Sequence, residues 1–388
     1  MVDPISWQRR LRPLLAPLGR VYGAVAAVRR RAYESGLLTR WSAPAPCVSV
    51  GNIGWGGSGK TPLVGWLAAW AVERELRPCI LTRGYRARPP HLPYLVTPQS
   101  PAAEAGDEPL LLARTAPGAQ VVVDPVRARS GPWAVGRFGP RLFLLDDGFQ
   151  HLAAGRDADL VLLRPEDLEG EWNQVIPAGS WRESRHALAR AAAFLVKATP
   201  ERFEALLPLL RRRLRPLGCP VFSFFLRATG LARAISYAGA GADACPPDRE
   251  RAPGVGVPAA VRLTAAETAR VAPYALVTGV GSPAQVADTA RGLLGTAPVR
   301  HFAFPDHHDF SAADWRATVL EAERSGARTL VCTPKDAVKL APVADARLAV
   351  LTLETVFGPS LDEAGELTQR AFPAWWELEW RRISSRKR

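Results

Sequence analysis

Residues 54–61 read GWGGSGKT, preceded by CVSV at 47–50, a short apolar run of buried-strand type, and followed by PLVGWL at 62–67. The pattern G-x-x-x-x-G-K-T between a strand and a helix is a phosphate-binding loop, and it commits the chain to an α/β fold on a parallel sheet. Gly54, Gly56, Gly57 and Gly59 let the backbone close around phosphate oxygens with its N–H groups inward. The following helix adds the positive end of its dipole. Trp55 and Ser58 fill free positions of the pattern, Lys60 reaches the β and γ phosphates, and the Thr61 hydroxyl ligates Mg²⁺. Pro62 falls in the first turn of the helix, where a missing N–H costs little.

Such a loop works with a carboxylate at a neighbouring strand end. RLFLL at 141–145 is a continuous apolar run that ends in DDGFQH at 146–151. Carboxylates at the C-terminal end of a parallel strand face the ligand crevice, so Asp146 or Asp147 holds the metal, directly or through water. The guanine-reading tetrapeptide N-K-x-D is absent, TPKD at 333–336 being the nearest approach. Adenine is therefore the expected base, and ATP with Mg²⁺ the expected ligands.

Charge narrows the partners. The 388 residues carry a net +13, of which residues 1–40 hold +6 and the last eight residues +5, so the chain between them is near neutral. Basic ends suit anionic lipid headgroups or phosphate backbones, and the core lacks the basic and aromatic track of a nucleic-acid reader. In the first segment Leu11, Leu14, Leu15, Leu18, Tyr22 and Val25 recur at steps of three and four, with Arg9, Arg12 and Arg20 on the other side. The stripe is far too short of charge-free residues to span a bilayer, which takes about 20. It predicts a helix lying on an anionic membrane surface, or else one docked on the protein's own core, while Pro13 and Pro17 argue against a long helix. Trp375, Trp376 and Trp380 beside basic residues likewise read as interfacial anchors or as core packing. The five cysteines, Cys47, Cys79, Cys219, Cys245 and Cys332, form no C-x-x-C pair and fit a reducing compartment.

Taken together, SVGNIGWGGSGKTP (49–62), RGYRAR (83–88), GDEPLLLA (106–113), DDGFQH (146–151), IPAG-x-x-RE (176–183), VTGVGSP (277–283), FPDHHDF (304–310) and TPKDAVKL (333–340) resemble the tetraacyldisaccharide 4′-kinase (lipid A 4′-kinase) family, in the family's order. The resemblance implies transfer of the ATP γ-phosphate to the 4′-hydroxyl of a tetraacylated glucosamine disaccharide 1-phosphate. It also implies a site at the cytoplasmic face of the bacterial inner membrane, peripheral or monotopic; no obligate protein partner is evident in the sequence. Asp107 of GDEP is then the expected base, paired with His307, His308 being its neighbour. Arg83, Tyr85, Arg127, Arg182 and Glu183, with Asn52 and Glu108, match positions around the family's active site and are expected substrate or phosphate contacts. The chain departs from the common pattern at Ser180-Trp181 and at Pro334.

The expected organisation is a basic amphipathic segment at 1–40, a P-loop kinase domain at 41–225 with helices on both faces of its sheet, a linker with a Gly/Pro-rich insertion at 226–262, and a smaller α/β lobe with a basic tail at 263–388. A GTPase or metallochaperone-type NTPase would share the P-loop and carboxylates but hydrolyse without a lipid acceptor. A nucleic-acid-dependent ATPase would share only the loop and the charge.

Overall fold

The computed structural model describes residue 8 and residues 10–234 and 262–387. The Gly/Pro-rich insertion, Arg9 and Cys245 lie outside them. Among the described residues thirteen strands form one sheet: β1 (Cys47–Asn52), β2 (Pro78–Thr82), β3 (Tyr94–Val96), β4 (Gln120–Val123), β5 (Leu142–Asp146), β6 (Ala158–Leu163), β7 (Ala193–Lys197), β8 (Val221–Arg233), β9 (Tyr274–Thr278), β10 (Arg300–Ala303), β11 (Thr329–Cys332), β12 (Leu348–Leu361) and β13 (Leu367–Thr368). Their order is β10-β9-β11-β12-β8-β7-β6-β1-β5-β2-β4-β3, with β13 on β12.

From β7 to β4 all neighbours are parallel, and β1, flanked by β5 and β6, is buried along its whole length. Alternate residues of β5 face opposite layers, Leu142 and Leu144 one core and Phe143 and Leu145 another, which is how a sheet covered on both faces reads as a continuous apolar run. The helix Lys60–Glu73 is almost wholly apolar and buried because it has a second layer outside it, the C-terminal helix Phe372–Ser385. Trp70 packs edge-on against Trp376, with ring centroids 5.5 Å apart.

The smaller parallel group β10-β9-β11-β12 joins the larger one through the antiparallel pair of β8 and β12, the two longest strands. β8 leaves from beside β7 and ends beside the start of β12, so the two groups run in opposite directions with their C-terminal strand ends turned toward each other. A ligand crevice in an open α/β sheet lies at those ends, and here both groups open into the same one. Residue 225, where the sequence places the end of the first domain, falls inside β8, and the chain after β12 returns to the larger group.

The helix Arg12–Glu34 continues through Pro17. Its docking side is polar and glycine-rich. Just ahead of it, Gln8 Nε2 donates to the carbonyls of Pro177 (2.7 Å) and Gly179 (3.0 Å), and from its first turn Arg12 donates to Ala178 O (3.1 Å), Gly170 O (3.0 Å) and Glu171 (2.7 Å). Leu14, Leu18, Val21, Tyr22, Val25 and Val28 are exposed on the helix. No helix of the described residues is long and apolar enough to cross a membrane. At the other end, Trp375 and Trp376 are buried in the core of the larger group, which resolves the two readings of that segment.

Candidate active site

The P-loop follows directly from the end of β1. Gly56 (φ +105°) and Gly59 (φ +86°) adopt backbone that side chains rarely allow, and a Cβ on Gly59 would stand 2.8 Å from the Phe224 ring. The loop rests on the 174–182 segment: Trp55 N–H donates to Ser180 O at 3.1 Å, and Gly54 pairs with Trp181, which is fully buried. The departure at Ser180-Trp181 thus lies under the loop as packing. Pro334 opens the helix Pro334–Leu340, where it forfeits no hydrogen bond.

Lys60 Nζ donates to Asn52 Oδ1 at 3.1 Å and stands 3.4 Å from Asp147 Oδ1. Arg182 donates to Asp147 Oδ2 at 2.9 Å and to Gln150 at 3.3 Å, and Gln150 ties back to Asn52 O at 2.9 Å. Burial pushes the Asp147 carboxyl up, but Lys60 and Arg182 outweigh it and hold it below the usual carboxylate range. Asp146 fares differently. Burial, then the charges of Glu108 and Asp147, push it up to about 6, against Lys60 and a 2.9 Å hydrogen bond from Thr82.

Asp146 Oδ1 is buried and accepts no hydrogen bond, and the buried Asp147 Oδ1 meets only the Lys60 ammonium at 3.4 Å among the described residues. Two such oxygens beside a phosphate loop fit Mg²⁺, which binds through one or two carboxylates plus substrate phosphates instead of a closed protein cage. Arg127, nearly fully buried, donates to Asp146 O at 3.0 Å and so braces this strand end.

The second cluster spans the two groups of strands. Asp107 begins the helix Asp107–Thr115 after Gly106 (φ +82°), and its Oδ2 lies 2.9 Å from His307 Nδ1, 200 residues on. Burial raises the Asp107 carboxyl, but the hydrogen bonds of His307 and Lys339 overcome this and leave it below the usual range. Tyr85 stands edge-on to the His307 ring at 5.3 Å, and Arg86 donates to His307 O at 3.3 Å. His308 turns away to stack on Phe304. His307 (φ +61°), Asp147 (φ +51°) and Arg86 (φ +61°) all hold left-handed backbone, and strain of this kind gathers at functional sites.

The two clusters adjoin, since Glu108, next to Asp107, is a leading source of the charge felt by Asp146. Arg83 is exposed at the end of β2. Glu183 is held by a two-pronged pair with Arg190 at 2.8 and 3.1 Å, facing away from open solvent. Thr82, Gln150, Lys335 and Lys339 join the site without a role legible in the sequence. Thr82 lies in a run that carries no chemical pattern, whereas Gln150 stands within DDGFQH and the two lysines within TPKDAVKL, but their partners are in distant stretches.

A P-loop, a metal-fitting strand end and a carboxylate–imidazole pair opening into one crevice define a P-loop kinase. The family profile of the tetraacyldisaccharide-1-P 4′-kinase matches residues 11–369. The tetraacyldisaccharide 4′-kinase of Nitratidesulfovibrio vulgaris is 50% identical, covering 97% of this chain and 96% of that one. The enzyme of the same name from Oleidesulfovibrio alaskensis is 47% identical over 99% of both chains. Among solved structures, LpxK from Aquifex aeolicus in complex with ATP superposes with a TM-score of 0.69 at 26% identity, covering 96% of this chain and 99% of that one. The chain belongs to the tetraacyldisaccharide-1-P 4′-kinase family and is an ATP-using phosphotransferase of lipid A biosynthesis.

Proposed function

We propose that the protein transfers the γ-phosphate of ATP to the 4′-hydroxyl of a tetraacyldisaccharide 1-phosphate, with Asp107 as the group that receives the hydroxyl proton. The observation that carries this reading is the Asp107–His307 pair, set one residue from Glu108 and hence beside the phosphate-handling end of β5. In the step, the acceptor O–H bond breaks, its proton passes to Asp107, the oxygen bonds to phosphorus, and the bond from phosphorus to the ADP oxygen breaks. Phosphoryl transfer asks mainly for positioning and charge stabilisation. The P-loop N–H groups and Lys60 hold the phosphates. Arg182, tied to Asp147, and Arg83 and Arg127 at neighbouring strand ends add positive charge around the transferred group.

Thr61, Asp146 and Asp147 would hold Mg²⁺, which when bound neutralises phosphate charge. His307 orients Asp107, and Tyr85 and Arg86 hold His307 in turn. Asn52 fixes the Lys60 ammonium.

A lipid acceptor calls for a membrane-facing surface. The exposed stripe of the helix Arg12–Glu34, with its arginines, suits the anionic inner-membrane face on the cytoplasmic side, where ATP is the available donor. Phosphate transfer from γ-labelled ATP with Mg²⁺, in micelles with and without the tetraacylated disaccharide 1-phosphate, tests the reading. Label is expected in the lipid. Label released as free phosphate whether or not lipid is present would overturn it in favour of an NTPase.

A further inference from the structure

Two lysines of the smaller strand group bear on the Asp107–His307 pair. Lys335 and Lys339 lie four residues apart on the helix Pro334–Leu340, so they project from one face. That helix packs against the helix Asp107–Thr115 across the crevice. Its start is fixed by Thr333, which accepts from Asp336 N–H and donates to the Asp336 carboxylate. Asp336 also accepts from Gly279 N–H at 3.0 Å, which ties the helix to the end of β9.

Lys339 Nζ stands 3.0 Å from Asp107 Oδ2, the oxygen that His307 Nδ1 also meets. Lys335 Nζ stands 3.1 Å from His307 Nε2 and 2.8 Å from Asp306 Oδ1. An ammonium only donates, so Nε2 accepts and the ring proton lies on Nδ1, pointing at Asp107. Both donors to Asp107 therefore converge on Oδ2. Among the described residues Oδ1 has no hydrogen-bond partner.

We propose that Lys339 is a positioning residue for phosphate transfer: with His307 it occupies Asp107 Oδ2 and so presents Oδ1 to the acceptor hydroxyl, while Lys335 fixes the His307 tautomer. The proposal rests on the reading of Asp107 as the proton acceptor. A nearby ammonium makes a carboxylate a weaker base. Phosphoryl transfer passes through a loose transition state, so an ionised and oriented acceptor serves it better than a strong base. The proton leaves the hydroxyl for Asp107 Oδ1, and Lys339 keeps its own protons throughout. Since Lys339 and His307 come from the smaller group and Asp107 from the larger, the pair is aligned only while the two are docked.

Around Asp107 stand His307 and Lys339, then Lys335 and Asp306 behind the imidazole, Asp309 at 3.5 Å from Lys339, and Glu108 on Asp107's own helix. Removing the Lys339 charge leaves burial less opposed, so the carboxylate protonates at higher pH.

The test compares Lys339→Met, Lys339→Arg, Asp107→Asn and the double variant Asp107→Asn/Lys339→Met in the full chain, with ATP, Mg²⁺ and micellar tetraacyldisaccharide 1-phosphate. Lys339→Met is expected to lower kcat about 10- to 100-fold, as loss of an orienting partner does, with KM for ATP within about twofold. Its acid limb should move to higher pH, Lys339→Arg should recover most of kcat, and the double variant should be no slower than Asp107→Asn alone. Wild-type kcat in Lys339→Met beside a crippled Asp107→Asn would overturn the positioning role and leave the base intact, as would losses that multiply in the double variant. Near-normal turnover in Asp107→Asn would remove the base and the proposal with it.

Discussion

At the C-terminal end, Phe372, Trp375, Trp376 and Ile383 turn inward onto the P-loop helix, and Glu377 accepts from Trp70 Nε1 at 2.7 Å. At the N-terminal end, Leu14, Leu18, Val21, Val25 and Val28 turn outward, while Gly19 and Gly23 are the buried residues. Both ends are basic helices with an apolar side, and they use that side in opposite ways. The difference lies in what docks. Large aromatic rings fill a layer outside an apolar helix and gain from leaving water. Glycines instead let the helix backbone approach Val175 closely, and beside them Arg12, with Gln8 just ahead of the helix, donates to carbonyls of the same loop. Amphipathicity identifies a side, and the neighbours decide whether it is covered.

The largest effect that would break this comparison is at Trp376. Replacing it with alanine empties a site against Trp70 and Phe372 and should cost about 3–5 kcal/mol of folding stability, measured by urea unfolding. A loss no larger than that of a surface substitution would mean that the C-terminal helix is as loosely held as an exposed anchor. Next comes Gly19→Leu. A Cβ there would stand 2.8 Å from Val175 O, a backbone atom with little freedom to yield, so the helix must shift off the loop. The expected cost is about 1–3 kcal/mol, with faster proteolysis within residues 12–34. Unchanged stability and protease resistance would show that the glycine face does not dock the helix.

The parts of the site that are local in sequence were legible. The P-loop declares itself because its glycines, lysine and threonine are contiguous and the backbone demands those types. The Asp146-Asp147 end of β5 follows from an apolar run with carboxylates at its tip. The Asp107–His307 pair is different: no spacing points across 200 residues, and only the family resemblance joins the two. The lysines at 335 and 339 went without a role for the same reason. The pairing of β8 with β12, which turns two expected lobes into one sheet with facing strand ends, joins stretches more than a hundred residues apart and leaves no local signal. At the ends, periodicity found both apolar sides but could not say which one the fold would cover.

The smallest effect on stability is the sharpest separator. Leu18→Glu with Val25→Glu alters two exposed side chains that no core cluster includes, so folding stability should stay within about 0.5 kcal/mol of the parent. If the stripe lies in a membrane interface, the same pair removes two side chains each worth about 1.5–3 kcal/mol when buried and adds charge that anionic headgroups repel. Co-sedimentation with vesicles containing an anionic phospholipid should then fall by at least about 100-fold in partition constant, while turnover of micellar acceptor, presented without a bilayer, falls much less. Vesicle binding that survives the substitutions would erase the contrast between the two ends. A matching drop in folding stability would do so from the other side, by showing that the N-terminal stripe already rests on protein.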